Sequence, residues 1–180
     1  NGTTCTWSSF NSHAQCNQQA VRVLNLGSST INISGSWSAF GDPGLLTINP
    51  GTSTINMTQV GANFNNSIYC FTPNTTHNYH NVNFTATSGT VQFQHHYSNS
   101  NDKVLGNYNQ VTFGAGANIT GDWTVGTLNF ALNGTYTFQA GRTVTVNTLF
   151  NANATCAGPM TIKSGTAGTQ AIISKATATV

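Results

Sequence analysis

The chain has 180 residues, a formal net charge of +2 and only 4% charged residues, against about 25% in an ordinary soluble domain. Nucleic-acid binding by counterion release is excluded, because Arg22, Lys103, Arg142, Lys163 and Lys175 stand singly rather than in a basic patch. A disordered polymer is excluded too, since 38% of the residues are hydrophobic, and the surface must be wetted by 29 Thr, 24 Asn and 15 Ser in place of ions.

Residues 1–29 carry the weakest pattern and read as an N-terminal cap or edge segment. From residue 30 onward, β-branched or aromatic residues alternate with small polar ones, which is strand composition. In chain order the period-two runs are 53–57, 82–84, 90–93, 111–113, 128–130, 135–138, 143–146 and 160–162. Each sends apolar groups one way and Thr, Asn or Gln the other. Gly-Asx-Ser clusters between them, such as 114–118 and 140–141, are turn signals. Glu is absent, and no apolar run approaches the roughly 18 residues of a membrane-spanning helix. The chain begins at Asn1 and stops at Val180 within strand-like sequence, so a processed piece truncated at its C-terminal end is expected.

Two internal repeats narrow the architecture. Asn32-Ile33-Ser34-Gly35-Ser36-Trp37 recurs as Asn118-Ile119-Thr120-Gly121-Asp122-Trp123, and Tyr79-His80-Asn81-Val82-Asn83-Phe84 recurs as Tyr108-Asn109-Gln110-Val111-Thr112-Phe113. Repetition of this kind points to a solenoid, in which equivalent positions of successive coils stack at about 4.8 Å into ladders of Asn, Thr or aromatic side chains. The spacing is irregular, 29 residues from Val82 to Val111 and 17 from Val111 to Leu128, which implies insertions at the corners. The expected fold class is all-β, a right-handed parallel β-helix (β-solenoid) with irregular coils over 30–180. A β-sandwich is the alternative.

The segments 126–130, 134–147, 153–164 and 168–175, together with 50–57 and 79–84, resemble the parallel β-helix segments of large secreted surface proteins of Bacteroidota. That resemblance implies an adhesin-like, non-enzymatic cargo of the type IX secretion system, linked to gliding or surface attachment. It also implies the export machinery as a partner, and the bacterial cell surface or medium as the location, with no insertion into a membrane.

Four cysteines, Cys5, Cys16, Cys70 and Cys156, suit disulfides in an exported chain. A Cys5–Cys16 bridge would close a short N-terminal loop. Cys70 and Cys156 pair less readily, because several coils of axial offset exceed the roughly 7 Å Cα limit of a disulfide. His77, His80, His95 and His96 cluster in sequence without cysteine or carboxylate companions, and loop histidines are the simpler reading, so no metal or cofactor is expected. Asp42, Asp102 and Asp122 are the only carboxylates, each in a turn-like setting, which leaves a polysaccharide lyase or hydrolase without its converging acids. No catalytic residue is assigned.

A carbohydrate-binding module is the alternative to a structural or adhesive segment, with Trp7, Tyr97 and Tyr108 as the aromatics to stack on sugar rings of surface glycans. Trp37 and Trp123 occupy matching repeat positions and are expected to pack at the same corner of two coils. A third reading is ice binding by Thr-x-Thr pairs, of which 135–137 and 143–145 offer two, too few for a convincing face.

Overall fold

A computed structural model describes residues 2–12, 21–40, 46–67, 75–96 and 104–175. They form parallel β-strands stacked as a β-solenoid, with no helix among them. The first coil contains β1 (Thr4–Trp7), β2 (Phe10–Ser12) and β3 (Arg22–Asn25), and the second β4 (Thr30–Ile33), β5 (Ser36–Phe40) and β6 (Leu46–Asn49). Then follow β7 (Thr54–Met57), β8 (Asn63–Ser67), β9 (Thr75–Phe84), β10 (Thr90–His96), β11 (Val104–Phe113), β12 (Gly116–Ile119) and β13 (Trp123–Phe130). The last are β14 (Thr135–Phe138), β15 (Thr143–Asn151), β16 (Thr161–Ser164) and β17 (Ile172–Lys175).

Each coil contributes three strands and hence three faces. The first face is β1, β4 and β7, continued by the C-terminal parts of β9, β11, β13 and β15. The second is the seven-stranded sheet from β2 through β5, β8, β10, β12 and β14 to β16, one strand per coil. The third starts with the pair β3–β6; farther along the stack it consists of the N-terminal parts of β9, β11, β13 and β15, then β17. Strands β1, β2 and β3 thus form the edge coil of the described stack, each paired with a strand in the coil above.

The core is a set of columns running along the axis. On the first face Cys5, Ile31, Ile55, Val82, Val111 and Leu128 occupy one inward row, and Trp7, Ile33, Met57, Phe84, Phe113 and Phe130 the next. Phe84 stacks on Phe113 at 5.2 Å between ring centroids, and Phe113 on Phe130 at 5.8 Å. On the second face the row Phe10, Trp37, Phe64, Phe93, Ile119 and Phe138 faces them. The columns follow from the alternation: parallel in-register pairing places like beside like, so each coil buries the apolar edge of the one below.

The second repeat is a true equivalence, since Tyr79, Asn81, Val82, Asn83 and Phe84 pair in register with Tyr108, Gln110, Val111, Thr112 and Phe113. The first repeat is not. Asn32-Ile33 closes a first-face strand and Trp37 lies on the second face, whereas Asn118-Ile119 closes a second-face strand and Trp123 lies on the third. The expected equivalence of Trp37 and Trp123 is therefore corrected: they stand on different faces. The motif is a corner formula, a strand end followed by a tight turn and an inward tryptophan, and it works at any corner of the coil. Asn133, at φ 61°, makes another such turn in the left-handed region that Asn tolerates.

Candidate functional site

Two arrangements stand out, one outside and one inside. Outside, the first face carries two parallel rows of polar side chains. Thr4, Thr30, Thr54, Asn81, Gln110 and Thr127 form one row, and Thr6, Asn32, Asn56, Asn83, Thr112 and Asn129 the other. The second row is bonded in two runs, one joining Asn32, Asn56 and Asn83 and the other Thr112, Asn129 and Asn151, and Asn83 Oδ1 between them is buried without a hydrogen-bond partner among the described residues. Asn56 Nδ2 donates to Asn32 Oδ1 at 2.9 Å, Asn83 Nδ2 to Asn56 Oδ1 at 3.2 Å, Asn129 Nδ2 to Thr112 Oγ1 at 3.2 Å and Asn151 Nδ2 to Asn129 Oδ1 at 3.3 Å. These bonds join residues 24, 27, 17 and 22 positions apart, so the rows stay straight although the coils differ in length.

Inside, the corner between the second and third faces holds a buried polar spine. Trp37 Nε1 donates to Tyr79 Oη at 3.2 Å, and Tyr79 Oη donates to Asn66 Oδ1 at 2.7 Å. Asn66 Nδ2 donates to Tyr108 Oη at 2.9 Å, and Tyr108 Oη lies 2.8 Å from His95 Nε2. His95 Nδ1 lies 3.3 Å from the Thr120 carbonyl oxygen. An indole nitrogen only donates, so Trp37 sets the direction of the whole chain. Tyr108 then donates to His95 Nε2, and His95 carries its proton on Nδ1, facing Thr120.

Burial pushes the Tyr79 phenol above its ordinary pKa, against the opposing bonds to Trp37 and Asn66. Burial, helped by repulsion from Tyr79, pushes the Tyr108 phenol well above it. Both therefore stay protonated as donors. Gly106 makes the room: a Cβ there would lie 2.5 Å from His95 Nε2 and 2.7 Å from Tyr108 Oη. Gly121, at φ +80°, leaves no space for a Cβ against His95 either, at 2.5 Å from its Cβ.

Two of the three aromatics expected to stack on sugars are turned into the core. Tyr108 is 5% exposed, a member of the spine and stacked on Tyr79 at 5.2 Å, and Trp7 is half-buried in an inward row against Phe10. Tyr97 lies outside the described residues. Trp37 and Trp123 are both buried.

The histidines do not converge. His77 and His95 point inward, His80 sits at a corner, and the side chain of His96 lies outside the described residues; no three potential ligands gather among the described residues. Among the described residues His77 has no hydrogen-bond partner at either ring nitrogen, and burial lowers its pKa to about 4.

Asp122 serves the backbone, its Oδ1 accepting from Thr143 N at 2.7 Å with Arg142 Nη1 at 3.8 Å from Oδ2, while Asp42 and Asp102 lie outside the described residues. Cys5 is a free thiol, not bridged as expected, because it ends an apolar column and behaves as a small hydrophobe facing the core. Cys156 is free and exposed in the turn 155–158, and Cys16 and Cys70 lie outside the described residues. No disulfide is present among the described residues.

The sequence implies ladders of Asn and Thr without assigning their members, although Thr30-Ile31-Asn32, Thr54-Ile55-Asn56 and Asn81-Val82-Asn83 repeat there as one pattern a coil apart. The two Thr-x-Thr pairs do not share a surface: 135–137 lies on the second face and 143–145 on the third. No protein family, curated protein or solved structure matches the chain.

Proposed function

We propose that this chain is a stiff, non-enzymatic structural and adhesive segment of a large secreted surface protein, exported by a type IX secretion system in a Bacteroidota cell. The observation that carries the reading is the outer polar row of the first face, in which amides bond to amides from coil to coil. Such a row fixes side chains that would otherwise rotate, and it adds a second set of axial bonds to the backbone ladder. A neutral, laddered rod is suited to holding other parts of a protein away from a cell, and its repeating surface is suited to contact over an extended area. The outward positions of the first face hold no aromatic side chain, so the glycan-stacking reading has no observation in its favour there.

Protease shaving of intact cells, with and without a working type IX translocon, tests this reading. Peptides of this chain are expected from intact wild-type cells, within a polypeptide far heavier than 19.0 kDa, and not from translocon-deficient cells. Recovery only after lysis, or equal recovery from both strains, would refute it.

A further inference from the structure

The first face has properties that select its partner. Thr30 and Asn32, and Thr54 and Asn56, each stand two residues apart on strands of adjacent coils; Asn81 and Asn83, then Gln110 and Thr112, continue the register, and Thr127 and Asn129 restore the Thr-Asn pair on the coil after those. Strand geometry spaces the members of a pair by about 6.6 Å and the coils by about 4.8 Å, which makes a two-dimensional lattice of hydroxyl and amide groups. Within its two bonded runs the amide row is held by its own hydrogen bonds, so these side chains are ordered before anything binds and little of their rotamer freedom remains to be lost on contact.

The described charged side chains lie elsewhere. Asp122 and Arg142 pair at the corner between the second and third faces, Lys163 is on the second face, and Arg22 and Lys175 are on the third. The large aromatic side chains of these strands, Phe84, Phe113 and Phe130 among them, point inward, while Leu149, in register with Thr127, is turned outward and 47% exposed. A charged mineral surface would find no counter-charge here, a sugar ring no aromatic plate, and a protein partner the single leucine Leu149 on β15 in place of the clustered aromatic anchors of a hot spot. A neutral array with its own two-dimensional repeat fits a neutral partner with a repeat of its own. The coil spacing is close to the oxygen repeat on the basal and prism planes of hexagonal ice, and Thr hydroxyls and Asn amides both bond readily to ordered water.

We infer that the first face binds ice. The inference rests on the adhesive reading above and names what that face adheres to. Its test is partition of the 180-residue chain into slowly grown polycrystalline ice, read beside inhibition of ice recrystallisation, with far-ultraviolet circular dichroism and melting to confirm the fold of each variant.

The wild-type chain is expected to concentrate in the ice. Asn83→Lys and, in the other row, Thr127→Tyr are expected to fall to the level of a non-binding control protein. Asn118→Lys on the second face is expected to partition like wild type. If one first-face variant loses its fold, the other decides. Exclusion of wild type from ice overturns the inference and leaves the surface-export reading to be judged by cell shaving. Equal partition of all variants overturns the assignment to the first face, and retention on crystalline cellulose or chitin without ice partition overturns it in favour of a glycan lattice.

Discussion

Replacing Tyr108 by phenylalanine removes one hydroxyl from the middle of the polar spine and changes little else in shape. That oxygen accepts from Asn66 Nδ2 at 2.9 Å and donates to His95 Nε2 over 2.8 Å. Asn66 is 0% exposed and His95 1%, so neither orphaned group can turn to water. A buried polar group left without a partner costs about 1–3 kcal/mol, and two of them set the expected loss at about 2–6 kcal/mol. Tyr136→Phe is the matched control: its hydroxyl makes one bond, 3.0 Å to the part-buried Ala131 carbonyl, and about 1 kcal/mol is expected. Urea unfolding measures both, provided the slope m is unchanged so that the midpoint shift reports stability. Nitrogen NMR of His95 gives an independent reading, since wild type should show the Nδ1-protonated tautomer and the Tyr108 variant a mixture. Equal stability losses for the two variants, or an Nε2-protonated His95 in wild type, would refute the directional spine.

Gly106→Ala should destabilise by about 1–3 kcal/mol through overpacking, since its Cβ would meet both His95 and Tyr108. Gly165→Ala, whose Cβ would approach nothing closer than 3.4 Å, should cost less, as the same unfolding assay would show. Phe113→Ala opens a cavity between Phe84 and Phe130 and should cost about 3–5 kcal/mol, read as a lower thermal or urea midpoint.

His77 makes stability depend on acid. Its folded pKa of about 4 lies below the unfolded value of 6.5, so the unfolded chain binds the proton first as pH falls. The contribution is complete above pH 6.5 and declines towards about 4, by up to about 3 kcal/mol. In parallel urea titrations, His77→Phe should show a shallower decline over that window than wild type.

Alternation of apolar and polar residues was enough to mark β7 and, from residue 82 onward, parts of β9, β10, β11, β13, β14, β15 and β16, the solenoid class and the pairing of Tyr79–Phe84 with Tyr108–Phe113, but β12 hides in the glycine-rich stretch 114–118 that reads as a turn, and no run marks β17. The reason is local: side-chain direction in a strand depends only on parity, and a repeated segment pairs best with its copy. Parity fails where a strand turns a corner without ending. Tyr79 and Val82 both point inward although they are an odd number of residues apart, because β9 bends between them, and Tyr108 and Val111 repeat the slip in β11. Simple alternation from Val111 puts Tyr108 outside, on a ligand surface, when it is in fact a buried link between Asn66 and His95.

Which face a strand joins was equally hidden, because it depends on how many residues each corner consumes. Thr135–Thr137 and Thr143–Thr145 are neighbours in sequence yet lie on different faces, while Asn32, Asn56 and Asn83, far apart in sequence, form one bonded row. Composition and parity determined the kinds of groups this protein would bury and expose. Only the winding of the coils decided which of them would meet, since contact along a solenoid axis is a property of coil length that no single strand encodes.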